Sequence, residues 1–346
     1  MLLILGLIVF IVLFALMGLM SLSQKKMLTP ESVLTFTKES PSKVSFAMHY
    51  NGKSIGSVNP LQAAPLVNSS NLIIAIEYAH QAAEGKIDAE QLVSFDDIEA
   101  FHIPKLEGDL HREWIAQMKQ ARYKKDVPLR EVAKGMLQYN SFANAEYLMH
   151  VLGIAEINEQ LRKLKMTKHD PIYPTASALY IEDQHATLHD YRKQATAIHA
   201  ELLKNPKSAQ QKNAAKKNAA KKTWAEHLPK GSAKDYVSLV KKLNNATLFG
   251  KEIYSYLMTL LDGLLTAPKA KKEAAHGAQF LSLTASAVNG ILYTTDHAGN
   301  RLEMAIFLYN LTPQEQMKLS MSVNNFFDQV VTDPVFRERI KMQANK

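Results

Sequence analysis

Pro65-Leu66-Val67-Asn68-Ser69-Ser70-Asn71 leads without a break into Leu72-Ile73-Ile74-Ala75-Ile76-Glu77-Tyr78-Ala79. A turn of proline and polar residues followed by an apolar run reads as a buried helix entered at its polar end. Asn68 is the expected N-cap, where its side chain would accept from free N–H groups of the first turn. Ser69 and Ser70 carry hydroxyls, and a hydroxyl is a weak nucleophile without a base beside it. One helical turn further on stand Leu72 and Ile73, which accept no proton. Asn68 and Asn71 share a helix face, and a carboxamide neither attacks a carbonyl nor titrates near neutral pH.

Working outward, strands are expected at both ends of the chain and helices between them. Ser45–Tyr50 and Lys53–Val58 flank Asn51-Gly52, the strongest short hairpin signal. Gly290–Thr295 and Arg301–Asn310 are apolar and β-rich, joined through Asp296-His297-Ala298-Gly299-Asn300. Pro313–Val331 reads as a closing helix with Thr312 as its cap. The middle shows helical spacing over Leu72–Gln81, Leu129–Leu152, Ile154–Leu164 and Glu182–Leu203. Terminal strands around a helical middle predict an α+β domain: an antiparallel sheet flanked by helices, plus an all-helical lobe.

The first 24 residues hold no ionisable side chain, and Leu2–Met20 is apolar apart from two glycines. That suffices to span a hydrocarbon core of about 30 Å. A cleaved signal peptide is the alternative; the long apolar run, the missing basic start and the missing small-residue cleavage site favour an uncleaved anchor. Lys25 and Lys26 after it would keep the domain in the cytoplasm by the positive-inside rule. The predicted division is an anchor at 1–24, a linker at 25–42 and one domain at 43–346. Within the domain, 43–66 and 270–346 form the sheet lobe and 67–269 the helical lobe, with a basic low-complexity insertion at 204–222. The chain has no cysteine, which excludes disulfides and thiolate metal sites. Of the net charge of +8, seven units come from lysines between Leu202 and Lys222, where there is no acid. The basicity is local and gives no nucleic-acid-binding face. The repeat at Lys212–Lys222 reads as a solvated loop or frayed helix, or as a contact for anionic lipid or an acidic partner.

From Val44 to the end of the closing helix the sequence resembles the class A serine β-lactamases and their penicillin-binding relatives. The resemblance rests on the Pro65–Asn71 entry, Glu84-Gly85-Lys86-Ile87-Asp88, and Phe101-His102-Ile103-Pro104 with Gly108 and His111. It continues through Met136-Leu137-Gln138-Tyr139, His169-Asp170-Pro171-Ile172-Tyr173-Pro174 and the paired C-terminal strands. It implies the β-lactamase/transpeptidase-like fold, a site between the lobes and an extracytoplasmic domain, against the bias of the two lysines.

That family acylates a Ser three residues before a Lys on one helix face. Asn68 stands at the Ser place and Asn71 at the Lys place. The second motif, Ser-x-Asn, falls on Asn140-Ser141-Phe142, so Asn140 replaces the Ser and Phe142 the Asn; a slip would bring Ser141 or Asn144 forward. The third, Lys-Thr/Ser-Gly, falls on Ala275-His276-Gly277, with Ala275 at the Lys and His276 at the hydroxyl position. Asp170 lies where the family carries a water-activating acid. Ser69, Ser70 and Ser141 are the hydroxyls that could replace the lost nucleophile. No cofactor is implied. His185 and His189 lack the Glu of a zincin helix, and His102 and His111 around Asp109 form a poor metal set.

The sequence therefore predicts a single-pass membrane protein of the cell envelope, a non-catalytic relative of these enzymes that binds or scaffolds. Expected partners are the membrane, through 1–24, and a peptidoglycan-like ligand or an envelope protein. The rivals are a serine hydrolase with a rebuilt site and a structural subunit whose cleft is filled by side chains such as Phe142.

Overall fold

The computed structural model describes residues 29–103, 108–183, 185–204 and 218–344. The predicted anchor at 1–24 and the repeat up to Lys217 lie outside the described residues. Among the described residues no helix is long and apolar enough to cross a membrane.

Helix α1 (Pro30–Glu39) precedes strands β1 (Val44–Tyr50), β2 (Lys53–Val58) and β3 (Ala63–Pro65). A 3-10 turn at Val67–Ser70 opens α2 (Asn71–Ala83). Next come β4 (Leu92–Ser94), α3 (Phe95–Glu99), α4 (Leu110–Gln120), β5 (Asp126–Pro128), α5 (Leu129–Gln138), α6 (Phe142–Leu152) and α7 (Ile154–Lys163). A 3-10 turn at Ser177–Tyr180, α8 (Leu188–Lys204) and α9 (Asn218–His227) lead to β6 (Lys230–Ser232), α10 (Ala233–Asn244) and α11 (Lys251–Leu261). The chain closes with α12 (Pro268–Glu273), β7 (Ala274–Thr284), β8 (Ala287–Asp296), β9 (Arg301–Leu308), α13 (Pro313–Thr332) and α14 (Pro334–Ala344).

The main sheet has the order β2-β1-β9-β8-β7 and is antiparallel throughout. β1 and β9, at opposite ends of the sequence, pair from Val44↔Leu308 to Tyr50↔Leu302. Alternation along β1 sends Val44, Phe46 and Met48 to a core shared with α13 and α14, and Ala47 to the core of the helical lobe. α2 sits inside that second core, with Leu72, Ile73, Ile74, Ala75 and Ile76 almost fully buried. A helix apolar on all sides is stable only when surrounded. α13 begins at a capping box in which Thr312 Oγ accepts from Glu315 N and the Glu315 carboxylate accepts from Thr312 N.

Two elements differ from the sequence expectation. Residues 30–39, expected within a linker, form α1: Pro30 occupies the first turn and Val33 and Leu34 bury against the sheet lobe. Pro-rich polar stretches mark helix starts as well as turns. The continuous spacing over 129–152 breaks at Asn140, whose φ of +51° cannot continue a helix.

Candidate functional site

The 3-10 turn at the mouth of α2 carries Val67 with φ +48°, a strained conformation for a β-branched residue. This presents Asn68 toward α5 and α6. Asn68 is no N-cap: its Nδ2 donates to the Asn140 carbonyl at 2.9 Å. The Asn140 side chain in turn donates to Leu281 O on β7 at 3.0 Å. Two amides thus join helix mouth, interlobe loop and edge strand. Ser69 Oγ lies 3.1 Å from Ser282 Oγ, and Ser70 Oγ donates to Val67 O at 3.3 Å. Asn71 Nδ2 donates to Met136 O at 3.4 Å. Ser69 is 4% exposed and Ser70 6%. Each of these side chains is hydrogen-bonded within the protein, with Asn68 and Asn140 partly buried.

Phe142 is 7% exposed. Its ring joins Val67, Tyr173, Tyr191 and Trp224 in a small core of its own, meeting Trp224 edge-on at 6.3 Å. Tyr173, Tyr191 and Trp224 come from the described parts of 171–229, whose two ends meet at a neck. There Asp170 N donates to Lys230 O at 2.7 Å, and Lys230 N donates to the Asp170 carboxylate at 3.1 Å. Arg192 pairs with the same carboxylate at 3.3 Å. Asp170 thus ties the neck. His169 beside it bonds Tyr236 Oη at 3.0 Å, and burial pushes its imidazole below the usual range. Under the segment, Glu146 of α6 accepts from Ser177 N at 2.8 Å, from Ser177 Oγ, and from His199 Nδ1 at 3.4 Å. A lone acid within the apolar run Phe142–Leu152 was the sequence signal for this clasp.

Ser141 is the hydroxyl that does meet a base. His111 Nδ1 lies 2.8 Å from Ser141 Oγ, and His111 Nε2 lies 3.1 Å from Glu99. The His111 hydrogen bond holds the Glu99 carboxyl below its ordinary range, against the opposing effect of burial. Nucleophile, base and orienting acid stand in line. Ser141, however, is 0% exposed and caps α6: its Oγ accepts from Asn144 N at 3.2 Å and contacts Asn144 Oδ1 at 3.2 Å. The burial leaves no position about 3 Å from the hydroxyl for a reacting carbonyl. His102 stacks on His111 at 4.7 Å, and Asp109 turns to Arg112 at 3.8 Å.

The third-motif expectation is corrected by the strand register. Ser282 and Leu281 are the β7 residues that meet Ser69 and Asn140. His276 stands six residues earlier, about 20 Å along an extended strand. Ala275, His276 and Gly277 line a groove of about 850 Å³ between α11 and β7, with Met258, Asp262 and Tyr293. Gly277 is fixed by packing: a Cβ there would lie 2.6 Å from Tyr293 O. His185 precedes α8 and His189 lies within it, so they do not share the predicted helix. Among the described residues no group of three or more His, Cys, Asp or Glu could hold a metal ion.

Comparison with known proteins agrees with this architecture. A family model described as the beta-lactamase enzyme family matches residues 31–311. Among solved structures, a class A beta-lactamase representative from Bacteroides cellulosilyticus aligns at TM-score 0.53 and 14% identity, covering 87% of this chain and 98% of that one. A beta-lactamase from Sphaerobacter thermophilus aligns at TM-score 0.56 and 10% identity, covering 87% and 96%. PBP-A aligns at TM-score 0.52 and 13% identity, covering 87% and 94%. Identities this low report the fold alone. Comparison with curated proteins returns no match.

Proposed function

Because this chain belongs to the beta-lactamase enzyme family, we propose that it is a non-catalytic member, held to the membrane by residues 1–24, that serves as a scaffolding or binding component of the cell envelope. The observation that supports the reading is the Asn68–Asn140–Leu281 bridge: Asn68 and Asn140, which align with the family's nucleophile and second-motif hydroxyl, donate their amides to the main-chain carbonyls of Asn140 and Leu281. Beside them Phe142 packs with Val67, Tyr173, Tyr191 and Trp224. Groups that act as a unit fail together, so a site without nucleophile and lysines forfeits most of its rate. The internal bonding of these groups favours a partner that meets the surface of the domain, an envelope protein or peptidoglycan-like polymer, over a small ligand held by them. The single-pass topology with an extracytoplasmic domain, and an anionic contact at Lys212–Lys222, belong to the same proposal. Nitrocefin hydrolysis tests it: the reading expects no turnover above the heat-unfolded chain.

A second reading, a serine hydrolase, is favoured by the Ser141–His111–Glu99 alignment. It requires Ser141, buried in this structure, to become exposed. Turnover abolished by Ser141→Ala and by His111→Asn, with both variants folded, would install this reading in place of the first.

A further inference from the structure

The groove beside His276 adjoins a second cavity of about 500 Å³, and the two share Met258, His276 and Tyr293. Both lie between α11 and the start of β7, six residues of the strand away from the Ser282 that meets Ser69. Two local features build the place. The β7–β8 ladder is regular as far as His276↔Thr295 and slips there, which leaves Ala275 unpaired. Such a bulge bends the strand and re-aims its side chains. His276 stands on the same face as Ala278 and Phe280, which pack on the core of the helical lobe. Tyr293 is the second feature. It is 2% exposed and yet lines both cavities. Burial pushes its phenol up, so the hydroxyl keeps its proton, and among the described residues no hydrogen bond reaches it. A buried tyrosine hydroxyl ordinarily has a partner.

The other polar side chains of the smaller cavity divide into engaged and unengaged. Asn244 Nδ2 donates to Glu303 at 2.7 Å and to Thr294 O at 3.1 Å, and Asn244 Oδ1 accepts from Thr295 at 2.8 Å. Asn245 Oδ1 and Tyr254 Oη are buried and inaccessible. Arg301 is fixed through its backbone, whose N–H donates to Asn51 Oδ1 at 2.8 Å. Its exposed guanidinium forms no ion pair among the described residues. No Asp or Glu lines this cavity, and the larger one has a single acid, Asp262, against Lys271. The side-chain groups left to a ligand in the smaller cavity are therefore donors: Tyr293 Oη, a ring N–H of His276 and the Arg301 guanidinium. Beyond Met258 the larger cavity offers Leu261, Leu265 and Ala275. We propose that the adjoining cavities bind a small organic carboxylate with an apolar body. The carboxylate accepts from Tyr293, His276 and Arg301, and the body passes Met258 into the larger cavity. Both volumes fall in the range of small-molecule sites, with few polar groups fixing orientation and apolar walls supplying contact. The proposal goes beyond the scaffolding reading and does not depend on it.

The full chain, isotope-labelled at its methionine methyls, is titrated with phenylbutyrate and with phenylbutanol, its neutral counterpart. The Met258 resonance, assigned through Met258→Leu, should shift and saturate with the acid, while those of Met317 and Met321, exposed on α13, stay in place. The alcohol should bind about tenfold more weakly or worse, the size of one lost charge-assisted hydrogen bond. Tyr293→Phe deletes only a hydroxyl without a partner, so it should keep the Tm and weaken the acid by about threefold. Arg301→Gln should weaken the acid by about tenfold and leave the alcohol unchanged. Equal binding of acid and alcohol, no saturation below about 10 mM, a shift at Met317 or Met321 in place of Met258, or unchanged acid affinity in both variants overturns the inference.

Discussion

Phe142→Ala removes the ring that fastens segment 171–229 to the start of α6. Phe142 is nearly inaccessible and packs in a satellite core with Val67, Tyr173, Ala176 and Trp224. Truncating a buried phenylalanine to alanine costs about 3–5 kcal/mol, and the edge-on pair with Trp224 adds about 0.5–1.5 kcal/mol. The surroundings belong to a small cluster that can partly collapse into the gap, so we take the low end, about 3 kcal/mol in all. For a domain of about 300 residues that corresponds to a fall in Tm of roughly 5 °C. The loss should be local. Hydrogen exchange should speed up in Tyr173–Leu228 and at Val67, while β1, β8 and β9 keep their protection, because the sheet core shares no residue with this cluster. Calorimetry gives the magnitude and exchange with mass spectrometry the location. A loss under about 1 kcal/mol, or faster exchange centred on the sheet, would refute the claim that Phe142 is the fastening of the covering segment.

Three further outcomes follow from named contacts. Asn140→Gly keeps the positive φ and deletes the bond to Leu281, so it should cost about 1 kcal/mol, while Asn140→Ala adds the left-handed penalty and should cost about 2–3 kcal/mol by urea denaturation. Gly277→Ala drives a Cβ toward the β8 backbone and should cost about 1–3 kcal/mol, although residue 277 is remote from Asn68. Glu315 is held below the usual carboxylate range first by its bond to Lys43 and then by Thr312 N. A depressed folded value gives stability that is full above about pH 4.3 and disappears as pH falls through the folded value; Glu315→Gln should therefore cost about 1 kcal/mol at pH 7 and almost nothing at pH 2, read from paired melting curves.

Local chemistry explains what was legible in the sequence. Asn51-Gly52 announces its hairpin because both residues must adopt positive φ, and they do, at +49° and +78°. Thr312-Pro313-Gln314-Glu315 announces a helix start because the capping groups are adjacent in the chain. The apolar wrap of Leu72–Ile76 announces a central buried helix. Long-range choices were not legible. β7 has a period of two but no absolute register, so nothing before folding distinguishes His276-Gly277 from Leu281-Ser282 as the end that meets α2. Asn68 was expected to cap its own helix, and it instead crosses to Asn140, a partner that only the tertiary arrangement provides. The Ser141–His111–Glu99 line likewise joins three elements whose spacing carries no pattern.

Covalent capture of a β-lactam is the measurement that reaches the central claim. The full chain is incubated with a fluorescent penicillin and its intact mass is recorded. Amides bonded to main-chain carbonyls in place of a nucleophile, with the neighbouring serines buried, predict an unchanged mass and no retained fluorescence after denaturation. A stoichiometric penicilloyl adduct mapped to Ser69, Ser70 or Ser141 would contradict it.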